Sequence, residues 1–288
     1  MNVRLIGVAS ALGLLSGCYQ LDGFFFQPTE LDAYALGGEI IPATCQSEVS
    51  FEGEVGTLYG AWAHQPRAPE TECEPTEFNP DADVLVFFHG NADHIDAYWP
   101  MVEFYWESGF ETFTFDYRGY GKSDGEPDHD GVIRDGASAA EYVQEATGLS
   151  SSEVVYVGLS LGGFVSIHTI DEYPPRAYIT QDMFASAQVL LDQGTLLDLP
   201  QGWFFVDEFD NLTAAKKMPP EVPYLVVHGA KDTYIQPANA QLVFDAAAST
   251  QKELFLVPNV DHADTIELAP EVYRPWVECW ARQDCADL

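Results

Sequence analysis

The chain has 288 residues, enough to bury a large core as one α/β domain or two smaller ones. Apolar residues make up 47% and charged residues 20%, a globular composition and not a disordered one. Only 12 Lys and Arg stand against 46 Asp and Glu, and the net charge of −34, without any basic cluster, argues against nucleic acid as a partner.

In chain order, residues 1–17 come first: Arg4, then an apolar run from Leu5 to Leu15, then small residues. The run is too short for a bilayer-spanning helix and has the layout of a secretory signal. Its end, Leu15-Ser16-Gly17-Cys18, resembles the lipobox of bacterial lipoproteins. That resemblance implies removal of residues 1–17, lipidation of Cys18, export, and attachment to the cell envelope, with the outer membrane or cell surface favoured. Residues 18–48 then read as a lipid-anchored tether and lead-in, and 49–288 as one α/β domain. Four further cysteines, Cys45, Cys73, Cys279 and Cys285, allow three pairings. Sequence proximity favours Cys45–Cys73 and Cys279–Cys285, which an oxidising compartment would preserve. A metal site is disfavoured, for want of C-x-x-C spacing and paired histidines.

Around Gly53 and Gly56 the sequence alternates as an opening antiparallel hairpin. A Pro- and acid-rich loop follows, and then a strand–helix rhythm begins. Strands are expected at 84–90, 110–119, 153–160, 177–183, 223–229 and 253–258. Helices are expected around 98–107, 132–147, from Leu161 onward, 238–248 and 270–281. The alternation specifies an α/β fold: a mostly parallel sheet with helices on both faces and ligand sites at the C-terminal strand ends. Residues 184–222 interrupt the rhythm and read equally as a small cap or as a crossover helix with loop. Their apolar members include Val189, Leu190, Leu196, Leu197, Trp203, Phe204 and Phe205.

Gly158-Leu159-Ser160-Leu161-Gly162 stands where a strand ends and a helix begins, the context of a nucleophile elbow. A serine hydroxyl needs a base, and the base an orienting carboxylate, in the chain order Ser, Asp/Glu, His. Asp232 and His262 follow the next-to-last and last strands and complete a catalytic set with Ser160. Asp261 and Asp264 flank the histidine; Asp207, Glu208 and Asp210 are the other rivals for the acid. His228 reads as a packed structural histidine and His168 as lying on a helix flank. His64, His94 and His129 lack strand-end placement. The loop after the first parallel strand offers the N–H of Asn91, which with that of Leu161 would form the oxyanion hole; the Asn91 side chain alternatively caps the next helix.

The motifs HGNAD (89–93), FDYRGYGKSDGEP (115–127), GLSLGG (158–163), VVHGAKDTYI (226–235) and DHAD (261–264) resemble those of the α/β-hydrolase superfamily, nearest to its monoglyceride-lipase-like and serine-aminopeptidase-like members. The resemblance spans roughly residues 50–282. It implies a hydrolase domain over 49–288, a serine hydrolase acting on carboxylic esters of modest size, and no metal or organic cofactor. It also implies that Asp116, Arg118 and Ser123 are structural. Such relatives often carry glycine where Asp93 and Asp261 stand. The alternatives are a peptidase or thioesterase with the same triad, or a non-catalytic surface binding protein. The expected partners are a small-molecule ester and, through Cys18, a membrane; a monomer is favoured.

Overall fold

A computed structural model describes residues 25–37, 40–68, 73, 78–194 and 209–285. The signal segment, Cys18, Asp207, Glu208 and the stretch 195–208 lie outside the described residues. Ten strands are described: β1 (Gln27–Pro28), β2 (Gln46–Gly53), β3 (Gly56–Ala63), β4 (Asp83–Phe88), β5 (Ala92–Asp93), β6 (Phe110–Phe115), β7 (Val155–Leu159), β8 (Ala177–Gln181), β9 (Tyr224–Gly229) and β10 (Lys252–Val257). The α-helices are α1 (Ile95–Glu107), α2 (His129–Thr147), α3 (Leu161–Thr169), α4 (Ala187–Asp192), α5 (Asn211–Lys217), α6 (Ala238–Ala246), α7 (Thr265–Leu268) and α8 (Pro270–Arg282).

Eight strands form one sheet in the order β10-β9-β8-β7-β4-β6-β3-β2. From β10 to β6 every pairing is parallel, and the β2–β3 hairpin is added antiparallel at the β6 edge. Parallel strands covered on both faces need apolar side chains on both, and β4 and β7 are buried almost throughout. The core accordingly divides into two layers. On one face, Phe88, Phe113 and Tyr156 pack with Val132 of α2 and Phe164 of α3. On the other, Phe87 and Leu225 pack with Tyr105 of α1 and Tyr273 of α8.

Helix boundaries follow local chemistry. The Asp128 side chain accepts from the Gly131 amide and starts α2, and Gly148 at φ 75° ends it. Both disulfides pair as proximity favoured, Cys45 with Cys73 and Cys279 with Cys285.

The lead-in is not free over residues 25–37. Its strand β1 pairs with β5, the Leu31 amide donates to the Gly121 carbonyl, and the Ala35 and Leu36 amides donate to the Asp96 carboxylate. Of the interruption, α4 is seen, with Leu190 buried and Val189 packed against the core; Leu196, Leu197, Trp203, Phe204 and Phe205 lie outside the described residues. Among the described residues no helix is long and apolar enough to cross a membrane.

Candidate active site

Ser160 sits between β7 and α3 with φ 51° and ψ −111°, a backbone region that a non-glycine residue occupies only when its surroundings enforce it. Two glycines allow the turn. A Cβ on Gly158 would stand 2.6 Å from the Gly162 carbonyl oxygen, and one on Gly162 would stand 1.9 Å from the Phe88 carbonyl oxygen. No side chain fits at either position. The Ser160 amide donates to the Gln181 carbonyl at 2.9 Å, fastening the elbow to the end of β8. Ser160 itself is 8% exposed, and among the described residues its Oγ makes no hydrogen bond.

Asp232 follows β9 and His262 follows β10. His262 Nδ1 lies 2.8 Å from Asp232 Oδ2, while Asp232 Oδ1 accepts the amides of Tyr234 at 2.9 Å and Ile235 at 2.7 Å. Burial opposes ionisation of Asp232, but hydrogen bonds from His228 and His262 outweigh it and bring its pKa down to about 2. An ionised, fully engaged carboxylate holds the proton on His262 Nδ1 and leaves Nε2 to accept one. The rivals are occupied elsewhere. Asp261 Oδ1 accepts the amides of Thr233 and His262, so it braces the loop and does not face the ring. Asp210 caps α5 through the Thr213 amide, and Asp264 precedes the short helix α7.

Two further groups lie beneath this pair: Asp182, which the sequence left unassigned, and His228, which it read as structural. Asp182, at the end of β8 with φ 52°, accepts the Gly229 amide at 2.8 Å and the Ala263 amide at 2.9 Å. It thereby joins the strand end that holds the Ser160 amide to the loop that carries His262. Burial is the largest influence on Asp182 and raises its pKa. His228 is buried as expected, yet its Nε2 donates to the Ile235 carbonyl at 2.7 Å and lies 3.1 Å from Asp232 Oδ2. Burial disfavours its charge, but the bond to Asp232 and the charge of Asp182 together raise its pKa. The sequence shows for Asp182 no more than an acid directly after the strand run; its positive φ and its partners appear only in the structure.

Asp182, Asp232 and His262 are the described residues that come near enough to share a cation. Their carboxylate oxygens, however, already face the Gly229, Ala263, Tyr234 and Ile235 amides and the His262 ring. Donor geometry of this kind suits anionic carboxylates held by the backbone more than a metal shell.

The loop after β4 carries Asn91, whose side chain spans to the lead-in and does not cap α1. Its Oδ1 accepts from the Gln27 amide at 3.2 Å and the Tyr120 hydroxyl at 2.8 Å, and its Nδ2 donates to the Phe25 carbonyl at 2.6 Å. Asp93, where glycine is frequent in the resembling family, has φ 60°, and its carboxylate accepts from the Thr29 hydroxyl. The conformation that favours glycine is present here without one. Leu161 opens α3, whose first amides are available to an anion. Asp116, Arg118 and Ser123 shape the neighbouring loop: Arg118 pairs with buried Asp135 at 2.8 Å, and the Ser123 hydroxyl donates to the Asp116 carbonyl.

A mostly parallel sheet covered on both faces, with a serine on a strained strand-to-helix turn, is the architecture of the α/β hydrolases. A family model described as serine aminopeptidase, S33, matches residues 79–205. The uncharacterized protein YfhR of Escherichia coli K12 is 31% identical over 198 residues, 66% of this chain and 67% of its own length. Protein bem46 of Schizosaccharomyces pombe is 30% identical over 193 residues, 63% of this chain and 62% of its own. Among solved structures, the Pyrococcus furiosus esterase Pf2001 superposes with a TM-score of 0.68 at 19% identity, covering 90% of this chain and 97% of its own. XC6422 from Xanthomonas campestris, described as an α/β serine hydrolase without lid, gives 0.57 at 19% identity, covering 85% and 97%. The chain belongs to the α/β-hydrolase family that includes YfhR and bem46.

Proposed function

We propose that the protein is a serine hydrolase that cleaves carboxylic esters of modest size through an acyl-enzyme. The observation that carries this reading is Ser160, held at φ 51° on the turn into α3, with Asp232 after β9 bonded to His262 after β10. In this mechanism Ser160 Oγ attacks the carbonyl, His262 takes its proton and returns it to the leaving alkoxide, and Asp232 orients the ring. The amides of Leu161 and Asn91 receive the charge that develops on the substrate oxygen. Water then repeats the steps against the acyl-serine. Esterases among the solved neighbours support the ester, and the serine-aminopeptidase description of the matching family model supports a peptide bond as the second reading.

The test is labelling with a fluorophosphonate followed by kcat/KM on p-nitrophenyl esters from acetate to palmitate. Stoichiometric labelling at Ser160 and a maximum at short or medium chains are expected. No label at Ser160 overturns the mechanism, and faster turnover of aminoacyl p-nitroanilides than of any ester moves the assignment to a peptidase. We also propose export and anchoring through Cys18, which the two disulfides support. Cys18→Ser is expected to shift the protein from the detergent phase to the aqueous phase.

A further inference from the structure

Far from Ser160, three side chains repeat the order of a nucleophile, a base and an acid. Ser47 Oγ lies 2.8 Å from His64 Nε2, and His64 Nδ1 lies 3.1 Å from Glu111 Oε2. Ser47 comes from β2, Glu111 from β6, and His64 from the residue after β3. Because Ala63 pairs with Thr112 and Asp83 with Phe110, this group lies at the N-terminal end of β6. Ser160, Asp232 and His262 all follow C-terminal strand ends, so the two constellations occupy opposite ends of the sheet.

The hydrogen-bond directions decide what the second group can do. Glu111 Oε1 already takes the Asn79 amide at 2.7 Å, so a carboxylate here, which only accepts, leaves Oε2 to take a proton from His64 Nδ1. His64 Nε2 then presents its lone pair to the Ser47 hydroxyl, which is the polarity that activates a serine. Position is secured on every side. The His64 amide donates to the Cys45 carbonyl at 2.7 Å, beside the Cys45–Cys73 disulfide, and Trp106 Nε1 donates to the His64 carbonyl at 2.7 Å. Trp62 lies near parallel to the ring at 5.9 Å and Phe78 meets it edge-on at 5.4 Å. His64 is 1% exposed and Glu111 is fully buried, whereas Ser47 is half-buried.

We propose that Ser47 is a second activated serine, acylated by reactive esters with His64 as its base. In the step, Ser47 Oγ bonds to the acyl carbon, the ester C–O bond breaks, and the hydroxyl proton passes through His64 Nε2 to the departing alkoxide. Nothing else is consumed. Ser47 lies within a strand and, among the described residues, no α-helix starts behind it, so the oxyanion receives no amide pair like that of Leu161 and Asn91. Loss of such donors costs on the order of 10²–10³ in rate, so acylation at Ser47 is expected to be about that much slower than at Ser160, and the acyl group to persist.

The experiment uses the full chain with Ser160→Ala, treated with excess p-nitrophenyl acetate and mapped by peptide mass spectrometry. Acetylation is expected at Ser47 at least about tenfold faster than at Ser50, an exposed serine on the same strand with no base beside it. Adding His64→Gln is expected to bring Ser47 down to the Ser50 rate. Equal rates at Ser47 and Ser50 overturn the proposal without recourse to a variant that fails to fold. So does an unchanged Ser47 rate in a folded His64→Gln protein. Loss of ester turnover in Ser160→Ala is read separately, so the fate of the Ser160 assignment and that of Ser47 are distinguishable.

Discussion

Ser160 and Ser47 are the two serines proposed to work with a histidine and an acid, and the fold holds them differently. Ser160 stands on a left-handed turn, φ 51°, with a helix beginning at the next residue, and its Oγ is not bonded among the described residues. Ser47 lies in an ordinary extended strand, and its hydroxyl already meets its base at 2.8 Å. His64 is sealed between Trp62 and Phe78, while His262 sits on a loop at the C-terminal end of the parallel strands, its side chain 19% exposed. A relay alone activates a hydroxyl. In the proposed mechanism, what separates the two ends is the strained elbow and the helix start, which put the first amides of α3 beside Ser160.

The largest expected effect breaks the comparison at its stronger end. Ser160→Ala should lower kcat for p-nitrophenyl esters by about 10⁶-fold with an unchanged circular dichroism spectrum, as loss of a triad serine does elsewhere. Retained turnover in the pure variant would remove Ser160 from the mechanism. Next, Asp232→Asn should cost about 10⁴-fold in kcat, because the amide no longer fixes the His262 tautomer. A crippling Asp210→Asn with a mild Asp232→Asn would reassign the acid.

Gly162→Ala tests the elbow itself. With the Phe88 carbonyl oxygen 1.9 Å from the added Cβ, the turn must shift, so a loss of about 1–3 kcal/mol in urea unfolding is expected together with lower kcat. Full stability and full activity would show that the crowding at this turn does not matter. At the other end, Glu111→Gln leaves His64 Nδ1 and the Asn79 amide sharing one neutral acceptor. A loss of about 1–3 kcal/mol is expected in the same measurement.

The smallest effect is a pH window. Asp232 is depressed from its ordinary 3.8 to about 2, so its contribution to stability is complete above 3.8 and is lost as pH falls through about 2. Acid unfolding followed by fluorescence should therefore be shallower between pH 4 and pH 2 in Asp232→Asn than in the parent. Identical slopes would mean that the Asp232 carboxylate carries no net stabilisation.

Much of the Ser160 end was legible before any coordinates. Strand endings expected at 160, 229 and 258, against Leu159, Gly229 and Val257 in the structure, put Ser160, Asp232 and His262 at one end of a parallel sheet. Both disulfides paired the cysteines nearest in sequence. The lead-in was not legible, because its hold on the molecule is made of amides and carbonyls, such as Gln27 N–H and the Phe25 carbonyl, on the Asn91 side chain. Backbone groups are the same in every residue and carry no sequence signal.

His64 shows the limit most clearly. It has no motif around it, and its partners lie 17 residues before it and 47 residues after it. Asp182 was hidden for the same reason, as was the contact of His228 with Asp232: Asp182 accepts the Gly229 amide at the end of β9, and His228 reaches an acid in the loop after its strand. Local patterns in the chain determined the main strands, the elbow, the strand-end placement of Ser160, Asp232 and His262, and the cysteine pairs, since each depends on residues close in sequence or on the period of a sheet. Tertiary structure alone decided which histidines meet carboxylates, because that depends on strand register, where a shift of one residue turns every side chain to the opposite face.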